Sequence, residues 1–319
     1  MAGSFHLRSF TAGDLPGIVR LQQGSEPLHP WSLEELARDL ETLEPHLQHH
    51  FRVAVRDGAL LGMSDLQRPA GSYHPHRFHL QLCVDPEARG QGIGTALHDA
   101  VLQELMDLDP VSLSVQVRES EPRALRFAQV RGFQEIKRDF ESILTLAAFD
   151  FEAHREPEAR LVREGLAFRT FRELDGPGFR RCFHDAFERV RVDVPRADPP
   201  TPLTFAFFEQ NVLEDPSMLP DAFVFALDGA TILGFTGAYA GAHPGTVDTW
   251  LTGVLPQARG RGVATALKVR SLRHAANLGY TAVRTDNDTR NAPMLAVNDR
   301  LGFQRQPALV LLRRVFRAP

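Results

Sequence analysis

One glycine-rich phrase occurs twice in this chain, half its length apart and in the same setting. The first copy is Val84-Asp85-Pro86-Glu87-Ala88-Arg89-Gly90-Gln91-Gly92-Ile93-Gly94 and the second is Val254-Leu255-Pro256-Gln257-Ala258-Arg259-Gly260-Arg261-Gly262-Val263-Ala264. Each follows a strand-like run and opens a helical pattern. Other residues repeat in the same register: Leu7-Arg8-Ser9-Phe10 with Asp14, Pro16 and Gly17 returns as Phe168-Arg169-Thr170-Phe171 with Asp175, Pro177 and Gly178. Asp57-Gly58 matches Asp228-Gly229, and Arg131-Gly132-Phe133 matches Leu301-Gly302-Phe303. Self-similarity of this kind marks a duplication. A chain of 319 residues, 43% of them hydrophobic, is long enough for two cores. The expected organisation is therefore an amino-terminal domain over 1–150, a charged linker over 151–163 and a carboxy-terminal domain over 164–319.

The net charge is −4 and the basic residues are scattered, so no stripe suited to nucleic-acid phosphates is present and no nucleic-acid partner is expected. No apolar run approaches membrane-spanning length and no basic-then-apolar leader opens the chain, which predicts a cytoplasmic protein without a membrane partner. Cys83 and Cys182 fall in different halves and read as reduced thiols. Monomer and homodimer both remain open.

In the first half, Phe51–Val55 and Leu60–Leu66 read as strands around Asp57-Gly58, a two-residue hairpin signal, and Phe78–Val84 runs into the glycine loop. Leu97, Val101, Leu105 and Leu108 then recur at helical spacing. A strand over Val111–Val117, a helix over Pro122–Val130 stopped by Gly132-Phe133, and a strand over Glu141–Leu146 follow. The second half repeats this order through Ala222–Leu227, Ile232–Ala240, Val247–Val254, a helix over Ala264–Leu278 and a strand over Tyr280–Thr285. It carries extra residues over Arg189–Pro220, which predicts a segment that shapes a site more than a core. The fold class is α+β with mixed α/β character: two tandem domains, each a mostly antiparallel central sheet flanked by helices.

Glycines at alternate positions before a helix let backbone approach a ligand and aim several N–H groups one way. With the helix dipole behind them they suit a diphosphate. A P-loop needs a lysine at the end of the loop, and Ile93-Gly94-Thr95 and Val263-Ala264-Thr265 have none. A dinucleotide fingerprint belongs after the first strand of a βαβ unit, whereas these loops follow the third or fourth strand of an antiparallel run.

The pattern Val-x-Pro-x-x-Arg-Gly-x-Gly-[Ile/Val]-[Gly/Ala], followed by a helix, a strand and a helix ending in Gly-Phe, resembles the acyl-CoA-binding core of the Gcn5-related N-acetyltransferase (GNAT) superfamily. Both halves are similar to it. Thr285-Asp286-Asn287, Asn291, Pro293-Met294-Leu295, Asn298 and Leu301-Gly302-Phe303 further resemble tandem acetyltransferases that include mycothiol-synthase-like proteins. The resemblance implies acetyl-CoA as co-substrate, with its pyrophosphate on the backbone of Arg259, Gly260, Arg261, Gly262, Val263, Ala264 and Thr265 and its pantetheine arm along the strand end at Val254. The corresponding first-half residues are Val84, Arg89, Gly90, Gln91, Gly92, Ile93, Gly94 and Thr95.

Acetyl transfer to an amine requires removal of the amine's proton, stabilisation of an oxyanion and protonation of the departing thiolate. Asp248 lies six residues before Val254, where related histone acetyltransferases place a basic glutamate, and reads either as that base or as a solvent-facing or capping carboxylate. The first half has Phe78 there. Many members carry an acidic tyrosine where this chain has Asn298 and Ala128; an amide can hold the sulfur or the pantetheine but is not a general acid, and a helix-surface residue with no role is the other reading. Asn291 matches a coenzyme-contacting asparagine, or simply caps its helix; Glu121 is its counterpart.

His49-His50 and His74-Pro75-His76 lack metal-ligand spacing and read as surface histidines, so no metal is expected. Phe205, Phe207 and Phe208 read as core under a helix, with an acceptor pocket near Arg189, Arg191 and Asp193 as the alternative. These readings lead to an N-acetyltransferase moving an acetyl group from acetyl-CoA to a primary amine of a small molecule by direct attack, with a catalytic second half and a degenerate first. A non-catalytic acyl-CoA-binding or sensing protein is the alternative.

Overall fold

The computed structural model describes residues 4–25, 32–47 and 49–317. Its strands, in chain order, are β1 (His6–Ser9), β2 (His50–Arg56), β3 (Ala59–Gln67), β4 (Arg77–Val84), β5 (Ser112–Arg118), β6 (Gln134–Thr145), β7 (Ala167–Thr170), β8 (Val224–Asp228), β9 (Thr231–Ala240), β10 (Thr246–Val254), β11 (Ala282–Asp288), β12 (Gln304–Arg305) and β13 (Leu309–Val315). They fall into two compact units. One holds the chain up to Ile136 together with Val310 onward, and the other is Lys137–Leu309.

In the first unit β1 to β4 pair antiparallel in sequence order. Asp57 and Gly58 both take positive φ, 49° and 79°, the backbone of a two-residue hairpin turn whose twist matches that of its strands. β4 then runs parallel to β5 over three residue pairs, Arg77↔Ser112 to His79↔Ser114. The far side of β5 is taken by β13, whose Val310 and Leu312 are buried with Leu113, Phe78 and Phe133.

The second unit repeats the plan. β7 to β10 pair antiparallel, β10 and β11 run parallel from Thr246↔Ala282 to Thr249↔Thr285, and β6 closes antiparallel on β11 from Ala282↔Thr145 to Asp288↔Asp139. β6 places Leu144 in a core with Val283, Val269 and Phe303. Each sheet is thus mostly antiparallel, as the sequence predicts, and contains one parallel pair. Each also takes one strand from the opposite half of the chain, β13 beside β5 and β6 beside β11. The duplicated halves and the compact units are different divisions of the molecule.

Two segments differ from their sequence reading. The charged stretch expected as a linker contains a helix, Arg155–Arg163, whose Leu161 is buried with Val263, Ala266 and Leu267. Its Glu158, 8% exposed at the side chain, pairs with Arg270 at 3.2 Å and Arg273 at 3.0 Å. A single apolar residue on the buried face, with arginine partners elsewhere, leaves little amphipathic signal to read. The extra residues over Arg189–Pro220 serve the core as well as the surface: Phe208, Val212 and Leu213 are buried among Phe183, Phe187, Phe223, Phe225 and Phe235, while Phe205 and Phe207 are half-buried. The helix Pro177–Arg191 approaches β10 so closely that a β-carbon at Gly253 would stand 2.0 Å from Val190. Glycine is required there by proximity.

Candidate active site

β10 ends at Val254, and the chain turns through Pro256–Ala258 into the helix Val263–Asn277. The turn is fixed from within, because Arg259 Nε donates to the Val254 carbonyl at 2.9 Å. Gly260 and Gly262 have φ of 74° and 91°, left-handed backbone that any side chain would strain. Gly262 is the N-cap and offers no side chain to the first turn, so the N–H groups of Val263, Ala264 and Thr265 stand at the positive end of the helix without intrahelical partners. A β-carbon at Gly260 would meet nothing within 4 Å among the described residues. The loop therefore has both the donors and the room that a diphosphate needs.

Around the loop the charges are organised. Arg160 Nη2 donates to the Arg261 carbonyl at 2.8 Å, Arg261 pairs with Glu164 at 3.0 Å, and Arg259 pairs with Asp193 at 2.5 Å. A cleft of about 370 Å³ opens beside the first turn, with Arg160, Arg261, Gly262, Thr265 and Arg300 among its walls.

Below the loop the two parallel strands separate. β10 and β11 share their last pair at Thr249↔Thr285, yet β10 continues to Val254 and β11 to Asp288. Backbone on that side of β10 is open to an extended ligand over Trp250–Val254. The register of β10 against β9 also slips between Thr249 and Thr252, a bulge that takes a residue out of the ladder beside the junction.

Asp248 stands at this junction. Its carboxylate is 20% exposed at the side chain and lies 3.3 Å from Arg284 Nε, which lies 3.2 Å from Glu141. Arg284 and Glu141 are 3% and 2% exposed, so Asp248 is the solvent-reaching end of a buried carboxylate–guanidinium–carboxylate array. Both Asp248 and Arg284 face away from the helix Val263–Asn277, whose side of the sheet holds Val247 and Val283.

The acetyltransferase (GNAT) family pattern matches residues 16–133 and again 179–303. The chain belongs to the acetyltransferase (GNAT) family. It is a tandem GNAT protein and an acyltransferase, from a family that uses acetyl-CoA in general. It is similar to the mycothiol acetyltransferases of Saccharopolyspora erythraea, 27% identical with 90% of each chain covered, and of Geodermatophilus obscurus, 28% identical with 93% of this chain and 92% of the relative covered. Among solved structures it resembles a GCN5-related N-acetyltransferase from Sphaerobacter thermophilus, with a TM-score of 0.70, 25% identity and coverage of 98% and 96%. A tandem GNAT protein from the clavulanic acid biosynthesis pathway shares the fold, with a TM-score of 0.77, 19% identity and coverage of 99% and 100%.

The GNAT loop of the first unit has the same backbone. Gly90 and Gly92 have φ of 79° and 84°, the helix Ile93–Met106 starts after Gly92, and Arg89 Nε donates to the Val84 carbonyl at 3.3 Å. Its surroundings differ. Phe78 is buried where the second unit has Asp248. Arg131 donates to Thr95 Oγ1 at 2.9 Å and lies over the Phe127 ring, which packs against Gly94. Gln91 accepts from Arg56 at 2.8 Å.

Asn291 caps the helix Ala292–Leu301, accepting from Met294 N at 3.4 Å. Asn298 is not a surface residue: it is 1% exposed and donates to Asn287 Oδ1 at 2.5 Å. His49 is likewise buried, with 3% side-chain exposure and 2.6 Å from the fully buried Asp65. Arg191, read as a possible acceptor contact, is 2% exposed and donates to Glu188 and the Thr201 carbonyl. Among the described residues no group of three or more His, Cys, Asp or Glu could hold a metal, and no helix is long and apolar enough to cross a membrane.

Sequence reasoning missed Arg284, Glu141, Arg160 and Lys268. Lys268 had a signal: it stands four residues before Leu272 and seven before Ala275, inside the stripe that faces the sheet. Arg284 and Glu141 had none, because their pairing depends on β6 meeting β11.

Proposed function

We propose that this chain transfers the acetyl group of acetyl-CoA to a primary amine of a small molecule by direct attack, and that its second unit performs the reaction. Acetyl-CoA is a substrate in this reading, consumed once per turnover. The observation that carries it is the coincidence in one unit of an open glycine loop, two strands that part below it, and a carboxylate at their junction.

The amides from Arg259 to Thr265 take the pyrophosphate, with Asn291 nearby at the next helix cap. The open edge ending at Val254 pairs with the pantetheine arm. Asp248, held by Arg284, takes the amine's proton directly or through water. Asn298, fixed by Asn287, orients the arm from the helix side. The similarity to mycothiol acetyltransferases supports a small-molecule acceptor. The first unit keeps the loop of Arg89, Gly90, Gly92 and Gly94 without a carboxylate at the junction, which favours a binding or structural role. Asn298 in place of an acidic tyrosine favours the second reading, an acyl-CoA-binding protein without catalysis.

Calorimetric titration of the whole protein with acetyl-CoA, repeated with Gly262→Asp, tests the first part. The variant puts a β-carbon and a negative charge into left-handed backbone at the loop, and loses one binding site if the second loop is used. A protein that binds no acetyl-CoA overturns the proposal. Thiol release from acetyl-CoA in the presence of a panel of small primary amines tests the second part. Asp248→Asn lowers that rate by about 10²-fold or more if the carboxylate is the base; binding without amine-dependent release leaves the non-catalytic reading.

A further inference from the structure

The chain has only two lysines, Lys137 and Lys268. Lys268 lies on the helix Val263–Asn277 and is 3% exposed. Its Nζ stands 3.5 Å from Thr285 Oγ1 and 5.0 Å from the centre of the Phe303 ring. Among the described residues no carboxylate pairs with it. Burying an ammonium group with so little compensation is costly, and fold alone gives no reason for it: Leu97 and Leu267 show that the same helices accept aliphatic residues in their buried faces.

Its place is specific. Thr285 is the β11 residue opposite Thr249 in the last pair before the strands part. Two residues on, along the same face of β11, Asn287 accepts from Asn298. A short row of polar contacts therefore lines the helix side of the opening, while Asp248 and Arg284 meet on the other side. From Val254 at the mouth to Thr249 at the junction is five residues, roughly 16 Å of strand at about 3.3 Å each. An extended pantetheine arm has comparable reach, so a coenzyme anchored at the loop brings its sulfur to the junction. The first unit repeats the arrangement with a different group. His98 follows Gly92 by six residues as Lys268 follows Gly262, is 3% exposed, lies against Phe133 as Lys268 lies against Phe303, and has an Nε2 with no hydrogen-bond partner among the described residues.

We propose that Lys268 is the proton source for the thiolate leaving acetyl-CoA, acting through the hydroxyl of Thr285. The inference rests on the acetyl-CoA reading of the second unit. As the acyl–sulfur bond breaks, its electron pair stays on sulfur. The Thr285 O–H gives its proton to the sulfur while an N–H of Lys268 gives one to the Thr285 oxygen. Coenzyme A leaves as the thiol, Thr285 is unchanged, and Lys268 is left as the neutral amine until solvent reprotonates it. The attacking amine's own proton departs on the Asp248 side. Burial pushes the Lys268 pKa down to about 7, against the attraction of Asp286; the Thr285 hydroxyl and the Phe303 ring beside it are uncharged. A group poised near neutrality gives and regains a proton readily.

With two lysines, ¹³Cε-lysine NMR of the full chain reads Lys268 directly and Lys137 as an internal control. Coenzyme A should displace the Lys268 titration, and desulfo-coenzyme A, which keeps the arm and lacks the sulfur, should not. Calorimetry on the same samples separates two failures. If coenzyme A binds and Lys268 does not respond, this inference is overturned and the acetyl-CoA reading stands; if neither ligand binds, both fall. In thiol release from acetyl-CoA, Lys268→Met and Thr285→Val each slow the rate about a hundredfold and abolish its decline as pH rises through neutrality, while Thr285→Ser retains both. A structural lysine would leave the pH profile in place, and that result refutes the proton role.

Discussion

Replacing Lys268 with methionine stabilises the protein at pH 7, and the gain depends on pH in a defined direction. Methionine matches lysine in length, is unbranched and brings no charge, so it fits beside Phe303. An unfolded lysine titrates near 10.4 and the folded one at about 7. Between those values the unfolded chain holds a proton that the folded chain has shed, so stability rises with pH across the window and the lysine's penalty is largest at its lower end. At pH 7 the penalty is about 4 kcal/mol, from roughly three pH units at 1.36 kcal/mol each. The side chain is fully buried, so solvent screening does not reduce this. The methionine variant escapes it but leaves the Thr285 hydroxyl without its partner, which costs about 1–3 kcal/mol. The net gain is about 2 kcal/mol, or about 1 M in urea midpoint at an m-value near 2 kcal/mol/M. Urea unfolding of both proteins at pH 7 and pH 10 measures it, and the advantage should be gone at the higher pH. A methionine variant that is weaker at pH 7 by the same margin as at pH 10 refutes the argument, because the ammonium would then be well satisfied where it lies.

Phe183→Ala should cost about 3–5 kcal/mol, since the ring is fully buried with Phe225, Phe235 and Phe208 at 4.8, 4.9 and 5.2 Å; a thermal melt within a degree or two of the parent would mean that the aromatic cluster collapses around the gap. For His49, burial lowers the pKa, but the hydrogen bond and charge of Asp65 outweigh it and leave the group above the usual histidine value. Its stabilising contribution is therefore full below about pH 6.5 and is lost as pH rises through the higher folded value. The melting difference between wild type and His49→Gln should be greatest at pH 6 and shrink toward pH 9, and a difference independent of pH contradicts the ion pair.

What the sequence made legible was local. Asp57-Gly58 specifies a hairpin because few residues tolerate two positive φ values in succession. The glycine phrase specifies its loop because Gly260 and Gly262 need left-handed backbone just before a helix. Pairing between distant strands leaves no comparable mark. The stretch Glu141–Leu146 reads as a strand in either sheet, and nothing in its alternation says that it pairs with Ala282–Asp288. For that reason Asp248 was visible by its spacing from Val254, while the Arg284 and Glu141 that hold it were not. His49 was misplaced on the surface for the same reason, and the surface alternative for Asn298 fails likewise, since what covers them comes from elsewhere in the chain. Lys268 is a different case, a readable anomaly in an apolar stripe on a chain with one other lysine.

The exchange of β6 and β13 gives the duplication a memory that catalysis alone would not. A first half whose junction holds Phe78 in place of a carboxylate still encodes the strand that covers β11. The second half likewise encodes the strand that covers β5. Splitting the gene between residues 150 and 164 would release two polypeptides, each with a bare parallel-sheet edge of the kind that recruits other chains. Loss of function in one copy could therefore never be followed by loss of the copy. Natural selection on folding has reason to retain both halves, whatever chemistry each performs.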